Sequence, residues 1–248
     1  FFAEDYDGEV NVVLSQRQPG SAIKPITYLT AFKKGYSPAY VLVDVETEFA
    51  VGGERSYKPV NYDGNFRGPV QVRFALGSSL NIPAVKMLQL VGLRDMLQVA
   101  HEVGLETLEP TEENMRRFGL SIALGGGEVR LIDLASAYSA FANGGEKINP
   151  VVITKVEDAR GKTIWEYKEE RKKQVMSEEE AFLINHVLSD NNARLLTFGA
   201  NSYLNMGSEI AVKTGTTNDK RDNWTIGWSD SILVGVWVGN NDNSPMKQ

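Results

Sequence analysis

The run Gly20-Ser21-Ala22-Ile23-Lys24-Pro25 constrains this chain more than any other stretch. Apolar residues follow at Ile23, Ile26, Leu29 and Phe32, the spacing of one helix face. Proline has no amide to donate and is tolerated only in the first helical turn, so Pro25 places the helix start at or beside Ser21. Gly35, with Pro38 beyond it, marks the end near Lys34. Residues three apart share a helix face, which sets the Lys24 amine beside the Ser21 hydroxyl. A hydroxyl and an amine so placed form a candidate nucleophile–base pair. The pattern is weak alone: about one Ser-x-x-Lys is expected by chance in a chain of ordinary composition. A second match stands at Ser244-Pro245-Met246-Lys247.

Composition removes several classes of function. With 26 basic and 32 acidic residues the net charge is -6, and no basic run stands out, so no nucleic-acid partner is expected. The absence of cysteine excludes thiol catalysis, cysteine metal sites and disulfides. The two histidines, His101 and His186, fall on predicted helices and leave little for a metal cluster, so no metal or organic cofactor is expected. No apolar run approaches the ~20 residues of a membrane span, and no signal peptide is visible. Phe1-Phe2 is not a natural start, so the chain is expected to be a fragment without its targeting segment.

The remaining elements follow from periodicity and turn chemistry. Glu9 to Leu14 reads as a strand leading into the Ser21 turn. Residues 39 to 69, rich in turn pairs such as Gly52-Gly53 and Asp63-Gly64, read as a looped excursion with short strands. Helices are predicted at Val72–Leu76, Ala84–Leu90, around Leu93–Ala100 and around Leu131–Tyr138, with a helical turn within Pro110–Arg117. Val151–Val156 and Ile164–Tyr167 suggest a hairpin, and Ser177 with Glu180 forms a capping box opening a helix to about Leu188. Glu209–Lys213, Trp224–Trp228 and Ile232–Val238 read as an antiparallel meander, with Trp224, Trp228 and Trp237 in its packing. Strands at both ends with helices between imply an α+β fold in which the first strand joins the last three in one sheet.

Three short motifs occur in order: Ser21-x-x-Lys24, Ser79-Leu80-Asn81 and Lys213-Thr214-Gly215. Together they resemble the set found in penicillin-binding proteins and serine β-lactamases. Longer stretches narrow the resemblance to the transpeptidase domain of class A penicillin-binding proteins. They are Arg17–Ser21 with Lys24-Pro25, Tyr57–Gly64, Asn81–Val85, Leu124–Gly127, Ala135–Gly145 and Thr216–Asp219, running through Asp222-Asn223-Trp224 to Gly239. Ser189-Asp190-Asn191 is a literal Ser-Asp-Asn, but it follows the end of a capped helix close before Lys213, so Ser79 is taken as the middle motif. Lys-Thr-Gly-Thr also occurs at the phosphorylation site of ion-pumping ATPases, which needs an aspartate before the lysine; Val212 stands there.

The resemblance implies an antiparallel sheet flanked by helices, an all-helical subdomain, and an active site between them. It implies one transpeptidase domain over residues 1–248, with the family's membrane anchor and glycosyltransferase domain lying outside it. The implied reaction is acyl transfer at the D-Ala-D-Ala end of a peptidoglycan stem peptide, on the outer side of the bacterial cytoplasmic membrane. β-Lactams would acylate the same serine, and membrane contact would come only through the missing anchor. Ser21 would be the nucleophile and Lys24 its base, kept neutral by burial and by the Lys213 cation. Ser79 would bridge the two lysines and relay a proton, and Asn81 would orient Lys24 and the substrate. Lys213, Thr214 and Thr216 would hold the substrate carboxylate, Gly215 would let an extended substrate pair closely, and the amides of Ser21 and Thr216 would form the oxyanion hole. Two alternatives stay open: a D,D-carboxypeptidase or β-lactamase using water, and a non-catalytic sensor of β-lactams or peptidoglycan. No convincing Glu-x-x-Leu-Asn stretch lies between Ser79 and Lys213, which favours slow deacylation.

Overall fold

The computed structural model describes residues 8–50, 56–168, 172–207 and 209–247. Gly52-Gly53 lie outside the described residues. Strand β1 (Gln16–Arg17) runs into a 3-10 turn at Gly20–Ile23 and helix α1 (Lys24–Lys33). The excursion carries β2 (Val41–Asp44), β3 (Phe49–Ala50), β4 (Ser56–Tyr57) and β5 (Gly68–Gln71). Helices α2 (Val72–Gly77), α3 (Asn81–Val91), α4 (Leu93–Glu102) and α5 (Glu112–Phe118) follow, then β6 (Val129–Arg130) and α6 (Leu131–Ala142). Next come β7 (Glu146–Lys147), the hairpin β8 (Lys155–Glu157) and β9 (Thr163–Glu166), and β10 (Lys173–Gln174). Helices α7 (Glu178–Ser189) and α8 (Leu195–Phe198) precede the meander β11 (Ala211–Thr216), β12 (Asp222–Trp228) and β13 (Leu233–Gly239).

The meander forms a three-stranded antiparallel sheet in the order β11-β12-β13. Helix α6 packs on β12 and β13, and α7 packs on β11. Helix α1 is buried along almost its whole length against α3, α4 and α7, which is why its sequence shows little polar face. Trp224 and Trp228 are buried, and Trp228 meets Tyr138 edge to face at 5.0 Å between ring centroids, an arrangement favoured by the ring quadrupoles. Ser177 and Glu180 form the expected reciprocal cap on α7.

The first strand departs from expectation. Residues 9 to 14 form turns, not a strand, and the short β1 pairs with β6 instead of joining the meander. Asn11 explains the difference: its Oδ1 accepts from the Val13 amide (3.2 Å), and its carbonyl accepts from the Leu14 and Ser15 amides (both 3.0 Å). A local Asx turn thus satisfies groups that a sheet would have paired. The hairpin is also shorter than the sequence suggests, starting at Lys155 instead of Val151.

Candidate active site

The 3-10 turn at Gly20–Ile23 is wedged between the helices and the sheet, packing against β11 and β12. Three bonds fix it there. Trp224 Nε1 donates to the Gln18 carbonyl (2.8 Å), the Tyr138 hydroxyl to the Ala22 carbonyl (2.6 Å), and the Ala22 amide to Pro19 (3.1 Å). Gly20 has φ +54°, and a Cβ there would collide with the Thr216 carbonyl, so glycine is what lets the turn meet the end of β11.

A cleft of about 510 Å³ opens at this junction, lined by Ser21, Ser79, Asn81, Thr214 and Thr216 among others. Lys24 and Lys213 lie beneath it, 0 % and 2 % exposed. Lys24 Nζ donates to the Ser79 carbonyl (2.6 Å), to Asn81 Oδ1 (2.6 Å) and, at longer range, to Ser79 Oγ (3.4 Å). Lys213 Nζ donates to Ser79 Oγ (2.9 Å) and to the Thr214 carbonyl (2.6 Å). The Ser79 hydroxyl therefore stands between two buried amines. Lys24, by contrast, makes no hydrogen bond to Ser21: its side chain is drawn one layer over, to Ser79 and Asn81.

Burial disfavours the charged form of both lysines. Lys24 is held well below the usual lysine range by burial and then by the charge of Lys213. Lys213 is pushed down to about 7, by burial first and then by Arg194. Arg194 carries no signal in the sequence reading. It is buried behind the site, and its guanidinium donates to the Leu188 and Leu204 carbonyls.

Ser79 has φ +58°, a left-handed conformation that costs a non-glycine residue about 1–3 kcal/mol. Its neighbours enforce it. Ser78 Oγ donates to the Ala193 carbonyl (2.9 Å), the Ser79 amide to Leu76 (3.0 Å) and the Leu80 amide to Ala75 (2.9 Å). Beyond Thr216, the Thr217 hydroxyl donates to Asp222 Oδ2 (3.1 Å), whose Oδ1 accepts from Trp237 Nε1 (2.9 Å), closing β11 onto the sheet.

All eight residues singled out in the sequence, Ser21, Lys24, Ser79, Asn81, Lys213, Thr214, Gly215 and Thr216, meet at this junction. The literal Ser189-Asp190-Asn191 does not. Asp190 caps the short 3-10 turn after α7 and pairs with Arg73 (2.6 Å), and Ser189 borders a separate cavity. His186 packs on Phe182 and borders that same cavity, and His101 faces Glu106 at 3.6 Å; neither lines the Ser21 cleft. Among the described residues no cluster of potential metal ligands occurs, and no helix is long and apolar enough to cross a membrane.

A serine in the turn before a helix, sharing a cleft with a second serine that is bonded to two buried lysines at the edge of an antiparallel sheet, defines the class, and comparison with known proteins gives the family. Residues 5–244 match the family described as penicillin binding protein transpeptidase domain, and the chain belongs to it. Penicillin-binding protein 2D of Bacillus subtilis (strain 168) is 33% identical over 237 residues, covering 93% of this chain and 33% of that protein. Penicillin-binding protein 1C of Escherichia coli (strain K12) is 33% identical over 240 residues, covering 96% of this chain and 28% of that protein. Penicillin-binding protein 1A from Haemophilus influenzae superposes with a TM-score of 0.83 at 27% identity, over 96% of this chain and 40% of that one. The chain thus spans about a third of the length of the curated relatives it matches.

Proposed function

We propose that this domain is a peptidoglycan D,D-transpeptidase that cross-links stem peptides through an acyl-enzyme on Ser21 and is acylated there by β-lactams. One observation carries the reading: the Ser79 hydroxyl is held between two buried, low-pKa lysines on the floor of the cleft that Ser21 lines. The one-domain organisation over residues 1–248, and action on peptidoglycan outside the cytoplasmic membrane, belong to the same proposal.

The chemistry follows from the donor count. A neutral amine keeps two N–H protons and one lone pair. Lys24 has two short acceptors, the Ser79 carbonyl and Asn81 Oδ1, so both protons are engaged and the lone pair is free to take a hydroxyl proton. Ser21 Oγ attacks the carbonyl carbon of the penultimate D-alanine and its proton passes to Lys24; such base help is worth about 10²–10⁴-fold. The carbon–nitrogen bond then breaks, and the departing D-alanine nitrogen takes a proton relayed through Ser79. The amine of a second stem peptide attacks the Ser21 ester and loses a proton, and Ser21 Oγ leaves reprotonated. Asn81 orients Lys24 and the donor backbone. Lys213, Thr214 and Thr216 hold the terminal carboxylate. The amides of Ser21 and Thr216 receive the developing oxyanion, a role supported by the close approach of Gly20 to Thr216.

The test is intact-protein mass after incubation with benzylpenicillin, for the wild type and for Ser21→Ala. A single stable adduct that vanishes in Ser21→Ala supports the reading, and cross-linked product from a D-Ala-D-Ala donor and an amine acceptor completes it. An adduct that survives the substitution moves the nucleophile elsewhere. Hydrolysed drug without an adduct makes the protein a β-lactamase.

A further inference from the structure

Strand β2 alternates between solvent and core, and Leu42 and Asp44 are its inward residues. A carboxylate thus occupies a core position: Asp44 is fully buried, and among the described residues no lysine or arginine forms an ion pair with it. A buried carboxyl group is expensive unless its hydrogen bonds are made, so its partners call for an explanation. Asn61 Nδ2 donates to both Asp44 oxygens (2.9 Å each), and the Arg67 amide donates to Oδ2 (3.0 Å).

The Asn61 carboxamide has one permitted orientation, because a backbone carbonyl only accepts and a backbone amide only donates. Its Nδ2 faces Asp44 and the Asn65 carbonyl (2.8 Å), and its Oδ1 faces the Asn81 amide (2.7 Å). Asn81 opens α3, where its amide has no intrahelical acceptor, so Asn61 supplies the partner from another segment. The adjoining Val60 carbonyl, also only an acceptor, takes Asn81 Nδ2 at 2.6 Å. That leaves Asn81 Oδ1 turned to Lys24 Nζ. A continuous run of hydrogen bonds thus links the buried acid on β2 to the catalytic amine, with the Asn65 and Val60 carbonyls holding the two carboxamides in the same sense.

We propose that Asp44 is a positioning residue for acylation, acting through Asn61 to fix the position of the Asn81 backbone at the start of α3 and so the placement of Lys24. The proposal rests on the transpeptidase reading. It predicts that Asp44 acts on the bond-making step and not on capture of the β-lactam, because Asp44 itself is fully buried and does not line the cleft, which its partner Asn61 does.

The experiment is a double-mutant cycle on the whole chain with Asp44→Asn, Asn61→Ala and their combination. Stopped-flow acylation by a fluorescent penicillin separates the noncovalent Kd from the acylation rate constant, and circular dichroism gives the folded fraction. Asp44→Asn should lower the rate constant about 100-fold, the scale of a 1 Å misplacement, with Kd unchanged. In the Asn61→Ala background it should add nothing further, since the route is already cut. A wild-type rate constant in the folded fraction of Asp44→Asn, or full additivity in the cycle, overturns the proposal. Should Asp44→Asn not fold, Asp44→Ser, which keeps an acceptor oxygen, takes its place in the cycle. Failure of the wild type itself to form an adduct would instead refute the transpeptidase reading, and this inference with it.

Discussion

Gly215→Ala tests how tightly the sheet edge is fitted to the nucleophile turn. The glycine sits one residue before the end of β11, where the expected reason for it is close pairing with an extended substrate. The structure supplies another on the inner side. A Cβ at 215 would overlap the Pro19 carbonyl oxygen and come within 2.8 Å of the Ala22 amide nitrogen and 2.9 Å of Ala22 Cβ. Two of these three atoms are backbone, pinned by the Tyr138 and Trp224 bonds, so no side-chain rotation relieves the clash. Strand β11 must retreat from the Ser21 turn by about 1 Å, a displacement that costs on the order of 100-fold when it separates reacting groups. Overpacking of this kind costs about 1–3 kcal/mol of stability, and each kcal/mol lowers Tm by about 2–4 °C in a domain this size. Gly227→Ala on the neighbouring strand is the control, because its Cβ would meet only ordinary contacts at 3.8 Å. The assay is the acylation rate with benzylpenicillin alongside thermal unfolding. Near-wild-type acylation and Tm in Gly215→Ala would refute the argument that backbone contact sets the site's geometry.

Two further predictions concern the lysines and the middle motif. Lys213 titrates near 7 in the folded protein against 10.5 for a free lysine, so between these values the unfolded chain binds more protons and stability rises with pH, by about 1.4 kcal/mol per unit for one proton. Wild-type Tm measured from pH 7 to 9.5 should climb relative to Lys213→Met, and parallel curves would mean that the buried lysine keeps its ordinary pKa. Ser79→Ala should lower acylation by about 100-fold or more through loss of the relay hydroxyl, whereas Ser189→Ala should leave the rate unchanged. The reverse pattern in benzylpenicillin labelling would hand the middle motif to the other triplet.

How much of this was legible beforehand depended on whether the information is local. The helix at Lys24, the capped helix at Glu178 and the meander all announce themselves through period, cap and turn residues, which act within a few positions of the chain. The cluster Ser21, Lys24, Ser79, Asn81 and Lys213 was legible for a different reason: three short motifs in order resemble one family, and the resemblance carries tertiary information that periodicity lacks. Where both sources were silent, the reading failed or stopped. The apolar residues at 9–14 fit a strand as well as a turn, and the Asn11 side chain decided between them. Helical spacing put Lys24 beside Ser21, but a long, flexible side chain goes where acceptors await it, and those acceptors come from the loop before α3. Asp44, Asn61 and Arg194 had no assigned role, because an acid on a short strand and an arginine after a helix look like solvated surface until the fold buries them. Their burial is itself informative: both lysines are driven toward neutrality first by burial, and Arg194 is the charge that lowers Lys213 further. Arg194 pushes Lys213 down directly, while Asp44 reaches Lys24 only through two oriented carboxamides. Beyond the burial they share, the two amines thus have different neighbours to answer to, a buried guanidinium for Lys213 and a hydrogen-bonded route from β2 for Lys24. Substitutions at Arg194 should therefore move the pH dependence of acylation, and those at Asp44 its rate.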